Sequence, residues 1–238
     1  LPPYTNRILD ILASECVRAT YFIVGRMARA YPELVRRVAK DGHTVGTHSM
    51  NHPQPFNALG LDKAKDEIDG GIAATAAALG DSAPVAPFFR FPGLGRTHAV
   101  EAYLRERGQM AWSADFPADD WRRISASEVT RRALQRLEAK GKGMLLLHDI
   151  QPATALALPG LLRELKVRGY RVVHIVPSSA ERAKTPTVAE AWLPKRRPGP
   201  AVTAFSIAAV QDPDGEGLGS EEHTSELQSH LNLVCRLL

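Results

Sequence analysis

Two continuous apolar runs, Ala19 to Val24 (ATYFIV) and Gly143 to Leu147 (GMLLL), leave no polar face for solvent, so each must be covered on both sides. Strands of that kind belong to parallel sheets flanked by helices. The rest of the chain repeats the pattern. Helical spacing of apolar residues predicts helices over Thr5 to Cys16, Tyr31 to Lys40, Leu61 to Leu79, Thr97 to Arg107, Ser127 to Lys140 and Leu156 to Arg168. Pro32 opens the second, Ser127 is a cap for the fifth, and Gly80 and Gly108 end the third and fourth. Strands fall between them at Ala19 to Val24, His43 to Thr47, Phe88 to Phe91, Gln109 to Ala114, Gly143 to Leu147 and Arg171 to Val176. This βα repetition predicts an α/β fold with a parallel sheet, open or closed into a barrel.

The pattern opens on a helix with no strand before it, which would leave the edge of ATYFIV unpaired deep in the sheet. A lost N-terminal strand explains this most simply. After Pro177 the composition changes: Pro194 to Pro200 and Asp212 to Gly215 read as linker or tail. The expected organisation is a catalytic-type domain over 1–177, a linker or disordered tail over 178–219, and a segment over 220–238. That last segment has the spacing of a short amphipathic helix and the look of a non-native, artefactual addition.

The 238 residues carry 30 basic and 26 acidic side chains, and pairs such as Arg36-Arg37 and Arg131-Arg132 form no continuous stripe, which argues against a nucleic-acid partner. No apolar run reaches membrane-spanning length. Cys16 and Cys235 form no disulfide framework. Localisation and oligomeric state are not encoded in anything legible.

Chemistry in parallel α/β folds gathers at the C-terminal edge of the strands. The first strongly polar residues past successive strands here are His48, Arg90, Asp115, and His148 with Asp149. His52 lies four residues after His48, a spacing that on a helical turn brings two imidazoles to one side, as a divalent metal such as zinc, cobalt or nickel requires. Alone, each residue has a bland reading as a surface histidine, a helix-paired arginine or a turn-capping aspartate. Four in order exceed what a fold needs. His43, near the opposite edge, and His98 and His174 read as structural.

Those residues carry a family resemblance. Thr47-His48-Ser49-Met50-Asn51-His52 resembles the H-[ST]-x-x-H motif of the NodB-homology polysaccharide deacetylases (carbohydrate esterase family 4). Phe89-Arg90-Phe91-Pro92-Gly93 resembles its R-x-P-G motif, Asp115 to Trp121 its D-x-x-D-W motif, and Leu146-Leu147-His148 its L-x-H motif. Tyr21-Phe22-Ile23-Val24-Gly25 is similar to its T-F-F-x-x-G strand. The resemblance covers roughly residues 1–177. It implies an irregular (β/α) barrel and removal of N-acetyl groups from an N-acetylglucosamine-containing glycan of the chitin-oligomer or peptidoglycan type. It further implies a divalent metal, zinc or cobalt, on His48 and His52, His148 as the acid, Asp115 orienting it, and Arg90 positioning a base carboxylate. Trp121 and Leu146 would wall an acetyl pocket, with Gly93 near a developing oxyanion.

The chain departs from the pattern in two places. Its aspartate motif is longer than the family's, which keeps Asp120 open as an alternative to Asp115. The family's first motif, T-F-D-D-G-P, which supplies the base and a third metal ligand, has no counterpart, so the chain as written is expected to be impaired. A hydrolase of small amides or cyclic ureides on the same fold, and a non-catalytic glycan-binding module, are the alternatives.

Overall fold

The computed structural model describes residues 3–183 and 229–237. Eight strands and seven α-helices form among the described residues, beginning with α1 (Pro3–Ser14), β1 (Thr20–Ile23), α2 (Gly25–Ala30), α3 (Pro32–Lys40), β2 (Thr44–Thr47), α4 (Leu61–Leu79), β3 (Phe88–Arg90) and α5 (His98–Glu106). Then come β4 (Met110–Trp112), β5 (Phe116–Pro117), α6 (Ala126–Lys140), β6 (Lys142–His148), α7 (Pro152–Val167), β7 (Tyr170–Val173) and β8 (Ser229–Leu237).

The strand order is β4-β3-β2-β1-β8-β6-β5, with β7 also on β8. Pairings β1–β2, β2–β3, β3–β4 and β5–β6 are parallel, as the continuous apolar runs predict. The sheet curls. Arg90 on β3 has its guanidinium over the Phe22 ring of β1, and it bonds Ser113 O beyond β4 and Met144 Sδ of β6. Side chains from three well-separated strands thus meet in one interior.

Outside this sheet, Ile8, Leu9 and Leu12 of α1 and Leu158, Leu161, Leu162 and Leu165 of α7 belong to the main buried cluster. A second cluster of Phe56, Phe89, Phe91, Ile68, Val100 and Leu104 anchors α4 and α5 beside the loop that follows β2.

The largest correction concerns the edge of β1. It is paired. Strand β8 runs antiparallel along β1 from Thr20↔Asn232 to Ile23↔Ser229 and along all of β6. The C-terminal segment is thus a strand where a short helix was expected. An unpaired edge inside a sheet presents a row of N–H and C=O groups that an extended segment satisfies, and that requirement outweighs a weak helical spacing. Residues 184–228, most of the expected linker, lie outside the described residues.

Smaller differences have local causes. Ser125, not Ser127, caps α6, accepting from the Glu128 N–H at 3.2 Å. Helix α7 starts at Pro152, a residue suited to the first helical position, and continues through Pro159. Strand β5, two residues long, gives no periodic signal at all.

Candidate active site

The loop after β2 carries the two imidazoles. It is not a helical turn: Ser49 has φ 63° and His52 φ 61°. Pro53 follows His52 and disfavours the right-handed helical region there. The rings of His48 and His52 nevertheless meet edge-to-face, with centroids 4.7 Å apart.

Three neighbours hold this loop. Gly25 and Arg26 at the start of α2 donate their N–H groups to Ser49 O (2.9 Å) and Met50 O (2.8 Å). The Glu67 carboxylate of α4 accepts from both N–H donors of Asn51, backbone and side chain, at 2.7 Å each. Gly70-Gly71, odd inside an alanine-rich helix, has its explanation here. A Cβ on Gly71 would stand 2.7 Å from the Ser49 carbonyl carbon and oxygen, so only glycine lets α4 approach the loop so closely.

His48 is buried at the end of β2, and its Nδ1 donates to Arg90 O at 2.7 Å. A carbonyl oxygen only accepts, so Nδ1 carries the proton and Nε2 carries the lone pair. Burial, then the adjacent His52, holds the His48 imidazolium pKa well below its ordinary value, leaving a neutral ring. Neutral imidazole with its tautomer set by a backbone carbonyl is the usual state of a metal-ligating histidine. Two imidazoles suit a borderline divalent ion but make an incomplete set. Among the described residues no group of three His, Cys, Asp or Glu side chains converges to complete it.

Across the site, His148 ends β6. Its Nδ1–H donates to Asp120 Oδ1 at 2.8 Å, and its backbone N–H donates to Asp120 Oδ2 at 2.6 Å. Asp120 is fully buried and also accepts from Thr154 Oγ of α7 at 2.7 Å. The carboxylate thereby fixes both the main chain and the ring of His148, directing Nε2 away from Asp120. Asp119, at φ 56°, shapes the turn before it. Burial opposes its ionisation, but hydrogen bonds from Arg136 and Arg132 prevail and hold its carboxyl below the usual range.

Asp115, expected to orient His148, does not reach it. This half-exposed carboxylate takes Lys140 Nζ and the Met144 N–H at 2.7 Å each. It precedes β5 and does not terminate β4. Its contact on β6 lies four residues short of His148, roughly 13 Å along a strand. The six residues from Asp115 to Asp120 carry the chain along the whole of β5, from one level of the sheet to the other. Asp120, the alternative, is the residue at His148.

Arg90 is 1% exposed. Its Nη2 bonds Ser113 O, but Nε and Nη1 are buried with no hydrogen-bond partner among the described residues, and burial drags its pKa down to about 9. Among the described residues no carboxylate pairs with this guanidinium, which stacks on Phe22. Leu146 is buried on β6, its carbonyl accepting from Ala118 N, and Trp121 stacks under the Arg122 guanidinium at 4.7 Å. Gly93 turns at φ 58° in the short helical turn Pro92–Leu94, beside the Gln54 side chain. His43 lies apart from the site, its Nδ1 accepting from Ala19 N at 3.0 Å.

The model of the family described as polysaccharide deacetylase matches residues 1–112. A peptidoglycan-N-acetylglucosamine deacetylase of Bacillus cereus is 31% identical over 180 residues, covering 73% of this chain and 81% of that protein. One of Listeria monocytogenes is 32% identical over 171 residues, 72% of this chain but 35% of its own length. Among solved structures, a peptidoglycan deacetylase of Bdellovibrio bacteriovorus superposes with a TM-score of 0.68 at 35% identity, covering 75% of this chain and 50% of that one. The chain thus spans about a third to a half of some of these relatives.

Proposed function

The chain belongs to the polysaccharide deacetylase family, and we propose from this that it hydrolyses the N-acetyl group of N-acetylglucosamine units in a glycan of the peptidoglycan or chitin-oligomer type. The observation that carries the reading is the buried Asp120–His148 pair, an acid with its orienting carboxylate, together with the adjacent rings of His48 and His52. A pure glycan binder has no use for that pair.

A divalent ion of the zinc or cobalt class, held by His48 and His52, would supply Lewis acidity toward the acetyl carbonyl. The chain's own residues do the rest. His148 presents Nε2 and delivers a proton to the departing amine, which leaves poorly without one. Asp120 holds the ring in the orientation and tautomer that make this possible. Leu146 and Trp121 wall the acetyl methyl, and the Gly93 segment brings backbone N–H groups near the developing oxyanion. Arg90 awaits a carboxylate of the kind that accepts a proton from water, and the sequence given has no T-F-D-D-G-P segment to provide it. Lack of a general base alone costs about 10²–10⁴ in rate. The chain as written is therefore slow or silent.

The test is acetate release from N-acetylated chito-oligomers and peptidoglycan fragments, with added zinc or cobalt. The chain would be assayed beside a version extended by a T-F-D-D-G-P strand. Activity in the extended form alone, abolished by His48→Ala and His148→Ala, is the expected outcome. Silence from a folded, metal-loaded extended form would overturn the assignment.

A further inference from the structure

Asp120 does not hold His148 unaided. Its Oδ2 takes two donors, the His148 backbone N–H and the Thr154 hydroxyl, while Oδ1 takes the ring. Thr154 is 1% exposed and lies in the first turn of α7, a sixteen-residue helix that starts just past His148. Among the described residues the Thr154 side chain makes no other hydrogen bond.

A carboxylate can rotate about its Cβ–Cγ bond, and an ion-paired ring follows it. With only the main-chain N–H on Oδ2, Asp120 would keep one anchor and lose the second, which comes from a different element. We propose that Thr154 is a positioning residue, fixing the rotation of the Asp120 carboxylate so that Oδ1 meets His148 Nδ1 and the ring is held as the Nδ1–H tautomer. The consequence is chemical. The Nδ1–H tautomer leaves Nε2 as the nitrogen that takes up and gives back a proton on the site side. The other tautomer would place that lone pair against Asp120, where it is useless and repelled by the carboxylate.

The proposal concerns the same pair as the function above and rests on it for its catalytic meaning, though the structural effect stands alone. The experiment is ¹⁵N-detected NMR of the histidine rings in the chain as it exists, with His148 assigned by comparison with His148→Gln. The variants are Thr154→Val, which keeps the shape and removes the hydroxyl, and Thr154→Ser, which keeps the hydroxyl. The parent and Thr154→Ser should show His148 as the Nδ1–H tautomer with a slowly exchanging ring proton. Thr154→Val should show a mixed tautomer signal and ring-proton exchange faster by about tenfold, the scale of one lost hydrogen bond to a charged group.

In the extended, metal-loaded form, Thr154→Val should lower kcat about tenfold with KM unchanged, restored by Thr154→Ser. An unchanged ring signal in a folded Thr154→Val protein overturns the proposal, as does equal damage from Thr154→Ser. An inactive extended form whose NMR results are as expected would sink the deacetylase reading and leave the positioning role intact.

Discussion

Replacing Arg90 with methionine should stabilise this chain. That is unusual for a fully buried residue in a candidate site. Burial lowers the Arg90 pKa to about 9, against an ordinary guanidinium value more than three units higher. Each unit corresponds to about 1.4 kcal/mol, so keeping the proton inside the fold costs about 4–5 kcal/mol. Three contacts offset part of that: the stack on Phe22, at 4.3 Å from the ring centroid, a hydrogen bond to Ser113 O at 2.9 Å, and a weaker one to Met144 Sδ at 3.5 Å. Together these contribute about 2–3 kcal/mol. Methionine keeps the length of the stem, remains beside Phe22 and Met144, and removes the charge and its orphaned N–H groups.

The expected gain is about 1–3 kcal/mol at pH 7. The pH dependence has a definite sign. Below about pH 9 the guanidinium is charged whether folded or unfolded, and the full cost applies. As pH rises above about 9 the folded chain sheds the proton before the unfolded one does, the cost is relieved, and parent and variant converge. Urea unfolding followed by tryptophan fluorescence at pH 7 and pH 10 reads both effects. A variant less stable than its parent at pH 7, or a gap of equal size at pH 10, would refute the picture of an uncompensated buried charge.

Other expectations separate the two aspartates and probe the loop. In the extended form, Asp120→Ala should reduce acetate release about 10²-fold or more, whereas Asp115→Ala, which removes only contacts to Lys140 and the Met144 N–H, should change it less than about threefold. Gly71→Ala drives a methyl into the Ser49 carbonyl. It should cost about 1–3 kcal/mol in thermal unfolding and weaken zinc uptake measured by a chromogenic chelator, since His48 and His52 flank that backbone. His43 has its pKa lowered to about 4 by burial, so it contributes an acid-side loss of stability as pH falls from about 6.5 to about 4. His43→Gln, which can still accept from Ala19 N, should flatten that part of the stability–pH curve, and an unaltered slope would show that other groups govern it.

Much of the scaffold was legible because it is written in local terms. ATYFIV and GMLLL are strands in the structure, and Leu61–Leu79 is a helix with the boundaries its apolar spacing indicates. The histidine pair was legible as well, although its geometry was not. Proximity of His48 and His52 comes from a loop with two left-handed residues, a conformation imposed by Pro53, Glu67 and the glycines of α4 from distant positions. Asp115 misled because strand ends were counted by apolar runs, and a two-residue strand makes no run. The extra residues between Asp115 and Trp121 were the visible trace of β5, read as a departure when they were an element. Thr154 gave no signal, since a threonine in the first turn of a helix is ordinary and its partner lies 34 positions away.

The pairing of β1 with β8 sets the order in which this molecule can be assembled. Thr20 and its partner Asn232 are separated by about two hundred residues of chain, and closing a loop of that length is slow compared with forming the local βα units on either side. During synthesis, β1 and β6 exist long before the segment that covers both of their edges. For that interval each offers an open hydrogen-bonding edge to any extended neighbour, including the same edges on other nascent copies. Yield in a cell should then depend on chaperone supply and expression rate more steeply than the stability of the finished fold would suggest.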